Sequence, residues 1–338
     1  MEKPVISNRS TRHAVALLAA AVLSLVAAAC SGGDAASSGS NNDKIAIAAV
    51  LPNTSDPFWA TISCGAEAKA DELGAELTTY NSTSVDANTI ASNFQAAQLS
   101  SPDGILVSPF NNNQFIGQYQ SLMKKGVPIV TQTPTEPTSE YKAVFSSTDT
   151  AGLVQEVVDV IPDGAGTAVF LGGAPGIPPL EKRTQPFVDA LLDARTDLAP
   201  LPTEYSGFDI NKATTMVSAL ILAHPDLKVI IAADGPDGLG AAAAIRQAGK
   251  TGEIALIAFD AVPGEVDALR EGTISALIAQ NPTEIGARSI EVLVAYLESH
   301  RDDAAVTATA AAAIDNRVLT AGNVDDPDSE PYLYKTDC

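Results

Sequence analysis

Four consecutive residues, Asp56-Pro57-Phe58-Trp59, set a carboxylate beside two aromatic rings at one turn of the chain. The carboxylate accepts hydrogen bonds and the rings offer flat apolar faces, which is equipment for holding a small molecule. Equipment for breaking one is missing. The three histidines, His13, His224 and His300, have no partner at metal-ligand spacing, and no nucleophile–base pair stands out. Gly172-Gly-Ala-Pro-Gly176 follows a strand pattern but lacks the lysine and hydroxyl of a phosphate-binding loop and the spacing of a dinucleotide fingerprint. It reads as a glycine-rich turn at a cleft. The chain is therefore expected to bind rather than catalyse, with no metal and no cofactor.

The elements that must position this corner follow from patterning. Ile45–Leu51 is an unbroken apolar run of the kind a doubly covered parallel strand needs. Asp56 then Pro57 is a helix-start signal, N-cap followed by N1 proline. Phe58, Ile62, Ala66, Ala70 and Leu73 share one face of the helix Phe58–Leu73, and Gly74 stops it. The polar turn thus lies at the carboxyl end of a strand, where open α/β sheets bind ligands. Strand and helix patterns then alternate: strands Glu76–Tyr80, Ile105–Ser108 and Val127–Thr131, helices Asp86–Leu99 and Asn112–Lys125. Prolines 134 and 137 break the rhythm, strand Ala143–Ser146 follows, and a helix starts near Asp149. A second round has strands Thr167–Leu171, Val229–Ala233, Ile254–Phe259 and Ile274–Ala279. Its helices are Leu180–Ala194, Asn211–Ala223, Asp237–Ala248 and Val262–Arg270, with Pro282–Glu298 last. Two rounds of βα units predict an α/β protein of two similar lobes, each a parallel sheet covered on both faces. Asp302–Ala313 is alanine-rich and ambiguous. The acidic tail Asp325–Cys338, with two prolines, is expected to be irregular.

The N-terminus has the form of an export signal. Lys3, Arg9 and Arg12 precede an uncharged apolar run, Ala14–Ala29, which is short for a membrane span. It ends Val26-Ala-Ala-Ala-Cys30-Ser-Gly-Gly33 and resembles a bacterial lipobox, with Ala27 where leucine is more usual. Residues 1–29 are then a signal peptide, and acylated Cys30 becomes the first mature residue and a membrane anchor; the alternative is an ordinary secretory signal. The Ser/Gly/Asn/Ala-rich stretch that follows, to residue 43, reads as a flexible tether reaching on the order of 20 Å. The formal charge of −21, from 20 basic and 41 acidic residues, leaves no basic surplus for a nucleic-acid partner. Cys64 and Cys338 remain after Cys30. Either they bridge, pinning the tail to the first helix, or they are a buried thiol and a free one.

Seven short segments occur in an order and spacing that resemble one family: Asp56-Pro-Phe-Trp59; Asp103-Gly-Ile-Leu-Val-Ser-Pro109; Gly126-Val-Pro-Ile-Val130; Arg183 four before Phe187; His224-Pro-Asp226; Ile257-Ala-Phe-Asp260; and Ile278-Ala-Gln280. From about Lys44 to about Gly322 the chain resembles type I periplasmic sugar-binding proteins of the ribose-binding kind, the receptors of ABC importers. The resemblance implies two Rossmann-like lobes joined by a hinge of several crossovers. Residues 44–149 with 281–313 would form one lobe, and 150–280 with 314–324 the other. A sugar or polyol would bind in the cleft and an ABC permease would receive it. The receptor would be a monomer. The same fold also serves sugar sensing, with a chemoreceptor or sensor kinase as partner. It serves transcription regulators too, but no DNA-binding helix pair precedes Lys44.

The site implied by the resemblance falls on residues suited to sugars, which offer apolar C–H faces and hydroxyls that both donate and accept. Phe58 and Trp59 match the paired rings of the first lobe and Phe208 the ring of the second. The alternative for each is packing in the core. Arg183 matches a cleft-facing arginine whose fork holds two oxygens; its alternative is a surface ion pair with Glu181 or Asp189. Asp260 and Gln280 end successive strands and are the carboxylate and amide candidates, and Asp234 matches a position held by asparagine or aspartate. Asp56 has a rival role as a helix cap, and both roles can coexist. Ser108 stands where asparagine is usual. Gln132-Thr133 replaces the Asp-Arg pair of ribose receptors, which points to another pentose or hexose, a deoxysugar or a polyol.

Overall fold

The structure, a computed structural model, describes residues 44–82, 86–109, 114–132, 142–144, 147–299 and 313–338. Cys30, the signal and the tether lie outside the described residues, as does nearly all of Asp302–Ala313. Two sheets form. The first is built from β1 (Ala46–Val50), β2 (Glu76–Tyr80), β3 (Gly104–Val107), β4 (Ile129–Thr131) and β5 (Lys142–Ala143), in the order β2-β1-β3-β4-β5, all parallel. The second contains β6 (Gly166–Leu171), β7 (Leu198–Pro200), β8 (Leu227–Ala232), β9 (Ala255–Phe259), β10 (Ala276–Ala279) and β11 (Arg317–Leu319). Its order is β11-β10-β9-β8-β6-β7, with only β11 antiparallel to its neighbour.

Each strand divides its apolar residues between two cores because successive side chains point to opposite faces. In β1, Ile47 and Ala49 face the core under α1 (Pro57–Leu73) and α9 (Pro282–Glu298). Ala48 and Val50 face the core under α2 (Ala87–Leu99) and α3 (Ile116–Lys124). The second sheet repeats the arrangement. Ile230, Leu256 and Leu277 meet α6 (Ile210–Ala223), α7 (Gly235–Gln247) and α8 (Pro263–Arg270). Val229, Ile257 and Ile278 meet α5 (Pro178–Ala194) and the helical turns of residues 151–160, which include the single α-turn α4 (Val154–Val157). Burial on both faces is why the strands read as continuous apolar runs.

Helix ends follow local chemistry. The Asp56 side chain accepts from Phe58 N at 2.9 Å, Pro57 occupies the first turn, and Gly74 closes α1 at φ +70°. Asp86, Asp209, Asp234 and Asn281 cap α2, α6, α7 and α9 in the same way. α1 and α9 touch backbone to backbone: a Cβ on Gly65 would run into the carbonyl of Thr283, and one on Gly286 into that of Ile62. α9 therefore belongs to the first lobe, although it follows β10 of the second.

The lobes are joined by crossovers that include residues 147–150, 280–282 and 314–317. The first and third run side by side, with Ser147 N donating to Ile314 O at 2.6 Å and Asn316 Nδ2 to Ser147 O at 2.8 Å. The expected strand Ala143–Ser146 is instead Lys142–Ala143 within the described residues. The helix expected from Asp149 is broken into short turns, and β7 and β11 are edge strands of three residues that periodicity does not reveal. The tail corrects the largest expectation. Asp325–Cys338 is not irregular: Pro327–Tyr332 forms a 3-10 helix, Ser329 and Tyr334 are buried, and Cys338 is disulfide-bonded to Cys64 on α1 with Cα atoms 5.3 Å apart.

Candidate ligand-binding cleft

The carboxyl ends of the second sheet's strands carry a network centred on Asp260. This residue follows β9 in a left-handed conformation, φ +84°, that non-glycine residues adopt at a cost on the order of 1–3 kcal/mol. Three donors converge on its Oδ1: Arg183 Nη1 at 2.8 Å, Gln280 Nε2 at 3.0 Å and the Tyr334 hydroxyl at 3.1 Å. Oδ2 accepts no hydrogen bond among the described residues. Arg183 donates its Nη2 to Ala233 O at 2.8 Å and stacks on the Phe259 ring, 5.4 Å from its centroid. Its partner is thus Asp260, across the lobe, and neither Glu181 nor Asp189. The side chains of the pair are only 12% and 14% exposed. Burial opposes the guanidinium charge, but Asp260, Tyr334 and Asp234 outweigh it and raise its pKa. The first crossover is tied to this helix as well, Thr150 Oγ1 donating to Arg183 O at 2.8 Å.

Asp234 ends β8 and caps α7, accepting from Asp237 N at 3.0 Å. Its other oxygen lies against Gly173, where any Cβ would come within 2.5 Å of it and within 2.8 Å of the Phe208 ring. This close approach, with φ +68° at Gly173, explains the glycine-rich turn without a phosphate. The Gly173 N–H donates instead to Asp237 Oδ2 at 2.8 Å. Burial, and then neighbouring Asp237, push the Asp234 pKa up to about 8. Asp237 is raised by burial in spite of its bonds to Ser206 and Gly173. Glu265, fully buried behind them, is raised well above the usual carboxylate range by burial and then by Asp260.

From the first lobe, Asp56 faces this network: burial raises its pKa first, and the Asp260 charge adds to it. Phe58 packs against the cores of both lobes, and Trp59 meets it edge-on with ring centroids 4.9 Å apart. Phe208 stands 44% exposed at φ +63° on the other side, its N–H bonded to Ser206 Oγ. Asp56, Phe58, Trp59, Arg183, Phe208, Asp234, Asp260 and Gln280 are thus linked through a chain of contacts. Ser108 and Gln132 form a separate buried pair at the ends of β3 and β4, Ser108 Oγ to Gln132 Oε1 at 2.6 Å, leaving the Gln132 Nε2 atom buried and unbonded. No hydrogen bond joins that pair to the rest among the described residues.

Four residues of the network escaped the sequence reading. Asp237 and Glu265 carry a weak signal, an acidic residue in the first turn of a helix that leaves a strand end. Ser206 has a local one, two before Phe208. Tyr334 has none. Among the described residues no group of histidine, cysteine and acidic side chains is arranged to hold a metal ion.

Comparison with known proteins agrees with this architecture. Residues 47–301 match the family model described as periplasmic binding protein domain. The ribose import binding protein of Salmonella typhimurium is 26% identical over 261 residues, 76% of this chain and 86% of that protein. The D-allose-binding periplasmic protein of Escherichia coli is 24% identical over 258 residues, 73% of this chain and 83% of that one. A solved ABC transporter solute-binding protein from Agrobacterium vitis, bound with α-D-tagatopyranose, superposes with a TM-score of 0.72 at 26% identity, covering 86% of this chain and 99% of its own. This chain belongs to the periplasmic binding protein family, as a type I, two-lobed solute receptor homologous to the ribose-binding proteins and not an enzyme.

Proposed function

We propose that this protein captures a neutral monosaccharide or polyol between its lobes and delivers it to an ABC permease. It works as a monomer, held at the outer face of the cell membrane by a lipid on Cys30. The moving bodies are residues 44–149 with 281–313 and residues 150–280 with 314–324. Contacts available only when both lobes meet the ligand shift the population from open to closed.

The observation that carries the reading is the Arg183–Asp260–Gln280 network facing Asp56 and Phe58 across the crossovers. One arginine stands among five carboxyl groups, those of Asp56, Asp234, Asp237, Asp260 and Glu265. Burial raises the pKa of Asp56, Asp234, Asp237 and Glu265, so these carboxyls can donate as well as accept and match the hydroxyls of a neutral ligand. The rings of Phe58, Trp59 and Phe208 suit C–H faces. The relatives named for ribose, allose and tagatose ligands support the same class.

A thermal-shift screen tests this. Neutral pentoses, hexoses and polyols are expected to include one that raises the unfolding midpoint by roughly 5–10 °C when present at about a hundred times its dissociation constant. Ribose 5-phosphate, with the wrong charge, is expected to leave it unchanged. No shift with any neutral member would end the sugar reading. The anchor is tested separately. Wild-type chain expressed in a bacterium should incorporate labelled palmitate and Cys30→Ser should not; a wild-type chain that takes up no label removes the lipid from the account.

A further inference from the structure

The tail runs across the same cleft. After β11 it adds Val324 and Tyr334 to the core of the second lobe, and Tyr334 N donates to Ala261 O at 3.1 Å. It then passes to the first lobe, where Lys335 N donates to Thr61 Oγ1 at 2.6 Å and Cys338 is bonded to Cys64, both on α1. It is thus a fourth link between the lobes and, among the described residues, the one that is closed by a disulfide.

Where it crosses, Tyr334 is only 4% exposed. Its ring stands 5.7 Å from that of Phe58, its hydroxyl reaches Asp260 Oδ1, and Gln280 Nε2 lies 3.5 Å from the same hydroxyl. The phenol is a donor here, because burial and then Asp260 push its pKa well above the ordinary value. A carboxylate oxygen that already accepts three hydrogen bonds has little capacity left, so the ligand is met by the other one.

We propose that Tyr334 is a positioning residue of the ligand site, delivered by the C-terminal tail and held there by the Cys64–Cys338 disulfide. By occupying Asp260 Oδ1 it fixes the plane of the carboxylate and presents Oδ2 to a ligand hydroxyl. This rests on the reading that Asp260 meets the ligand. It assigns the tail a part in recognition that its composition does not announce.

The test uses the mature full-length chain, with D-ribose, its C2 epimer D-arabinose, D-allose and D-tagatose as calorimetric probes. Tyr334→Phe is expected to lose about tenfold or more in affinity for each sugar that binds, with its unfolding midpoint lowered by only a few degrees. The ratio between the two epimers is expected to change, because the direction of Oδ2 selects the hydroxyl it meets. Cys338→Ser, which keeps the tyrosine but frees its anchor, is expected to lose part of the same affinity. Tyr334→Phe binding as tightly as wild type, or tighter, overturns the proposal. So does a Tyr334→Phe loss that lowers every affinity alike in step with the unfolding midpoint. Should Tyr334→Phe fail to fold, an undiminished affinity in Cys338→Ser overturns it. If none of these four probes binds the wild-type chain, the ligand lies elsewhere in the class covered by the thermal-shift screen. Crystals of Tyr334→Phe then decide the matter: a rotated Asp260 carboxylate supports the role, and an unmoved one overturns it.

Discussion

Arg183→Ala is expected to abolish most ligand binding, by about 2–5 kcal/mol if its bonds to the ligand are desolvated. The structure adds a second loss. The guanidinium holds Asp260 Oδ1 and Ala233 O together, so it joins the ends of β8 and β9. Its removal takes the guanidinium charge away from Asp260, Asp234 and Glu265. Breaking a buried pair costs about 3–5 kcal/mol of stability, and the residual exposure of both side chains puts this case toward the lower figure. Arg183→Lys should recover part of the stability and little of the affinity, because an ammonium cannot serve two acceptors with one planar fork. Calorimetry gives the first quantity and urea unfolding the second. Undiminished affinity in Arg183→Ala would take Arg183 out of the site and leave it a structural clamp.

Asp234→Asn should make the protein more stable at pH 8 and its stability flatter with pH. The native carboxyl titrates at about 8 against 3.8 when unperturbed, because it is buried beside Asp237. Below pH 4 both folded and unfolded states hold this proton. Between about 4 and 8 only the folded state does, so unfolding releases a proton and stability falls as pH rises. One pKa unit corresponds to about 1.4 kcal/mol. Shared with Asp237, the loss by pH 8 is on the order of several kcal/mol. Glu265, also raised, acts in the same direction. An asparagine keeps an oxygen for the cap on Asp237 N without ionising. Urea unfolding of both proteins at pH 5, 6, 7 and 8 should show the mutant gaining on wild type by about 2–4 kcal/mol over the series. Parallel curves would mean that Asp234 titrates as an ordinary surface carboxylate.

These two residues show why the cleft is assembled at the edge of tolerance. Asp260 and Phe208 both sit in left-handed backbone conformations, and several carboxyls share one arginine.

The βα rhythm, the doubly buried strands and the capped start of α1 were legible in the chain itself, because each depends on residues a few positions apart. Ile45–Leu51, Asp56-Pro57 and Gly74 mark β1 and α1 by local patterning alone, whereas the caps at Asp234 and Asn281 emerge only from the structure. The candidate ring, arginine and carboxylate positions were legible only through the order of short segments. What no local signal carries is pairing at a distance. That Arg183 turns to Asp260, 77 residues on, and not to Glu181 or Asp189, depends on how the ends of β8 and β9 are packed. The edge strands β7 and β11 are three residues long, too short for any period, and exist because a neighbouring strand offers them a ladder. Tyr334 is the extreme case. Its acidic, proline-containing surroundings read as loose chain, and only the bond from Cys338 to Cys64, 274 residues earlier, together with the packing it imposes, turns that segment back across the cleft.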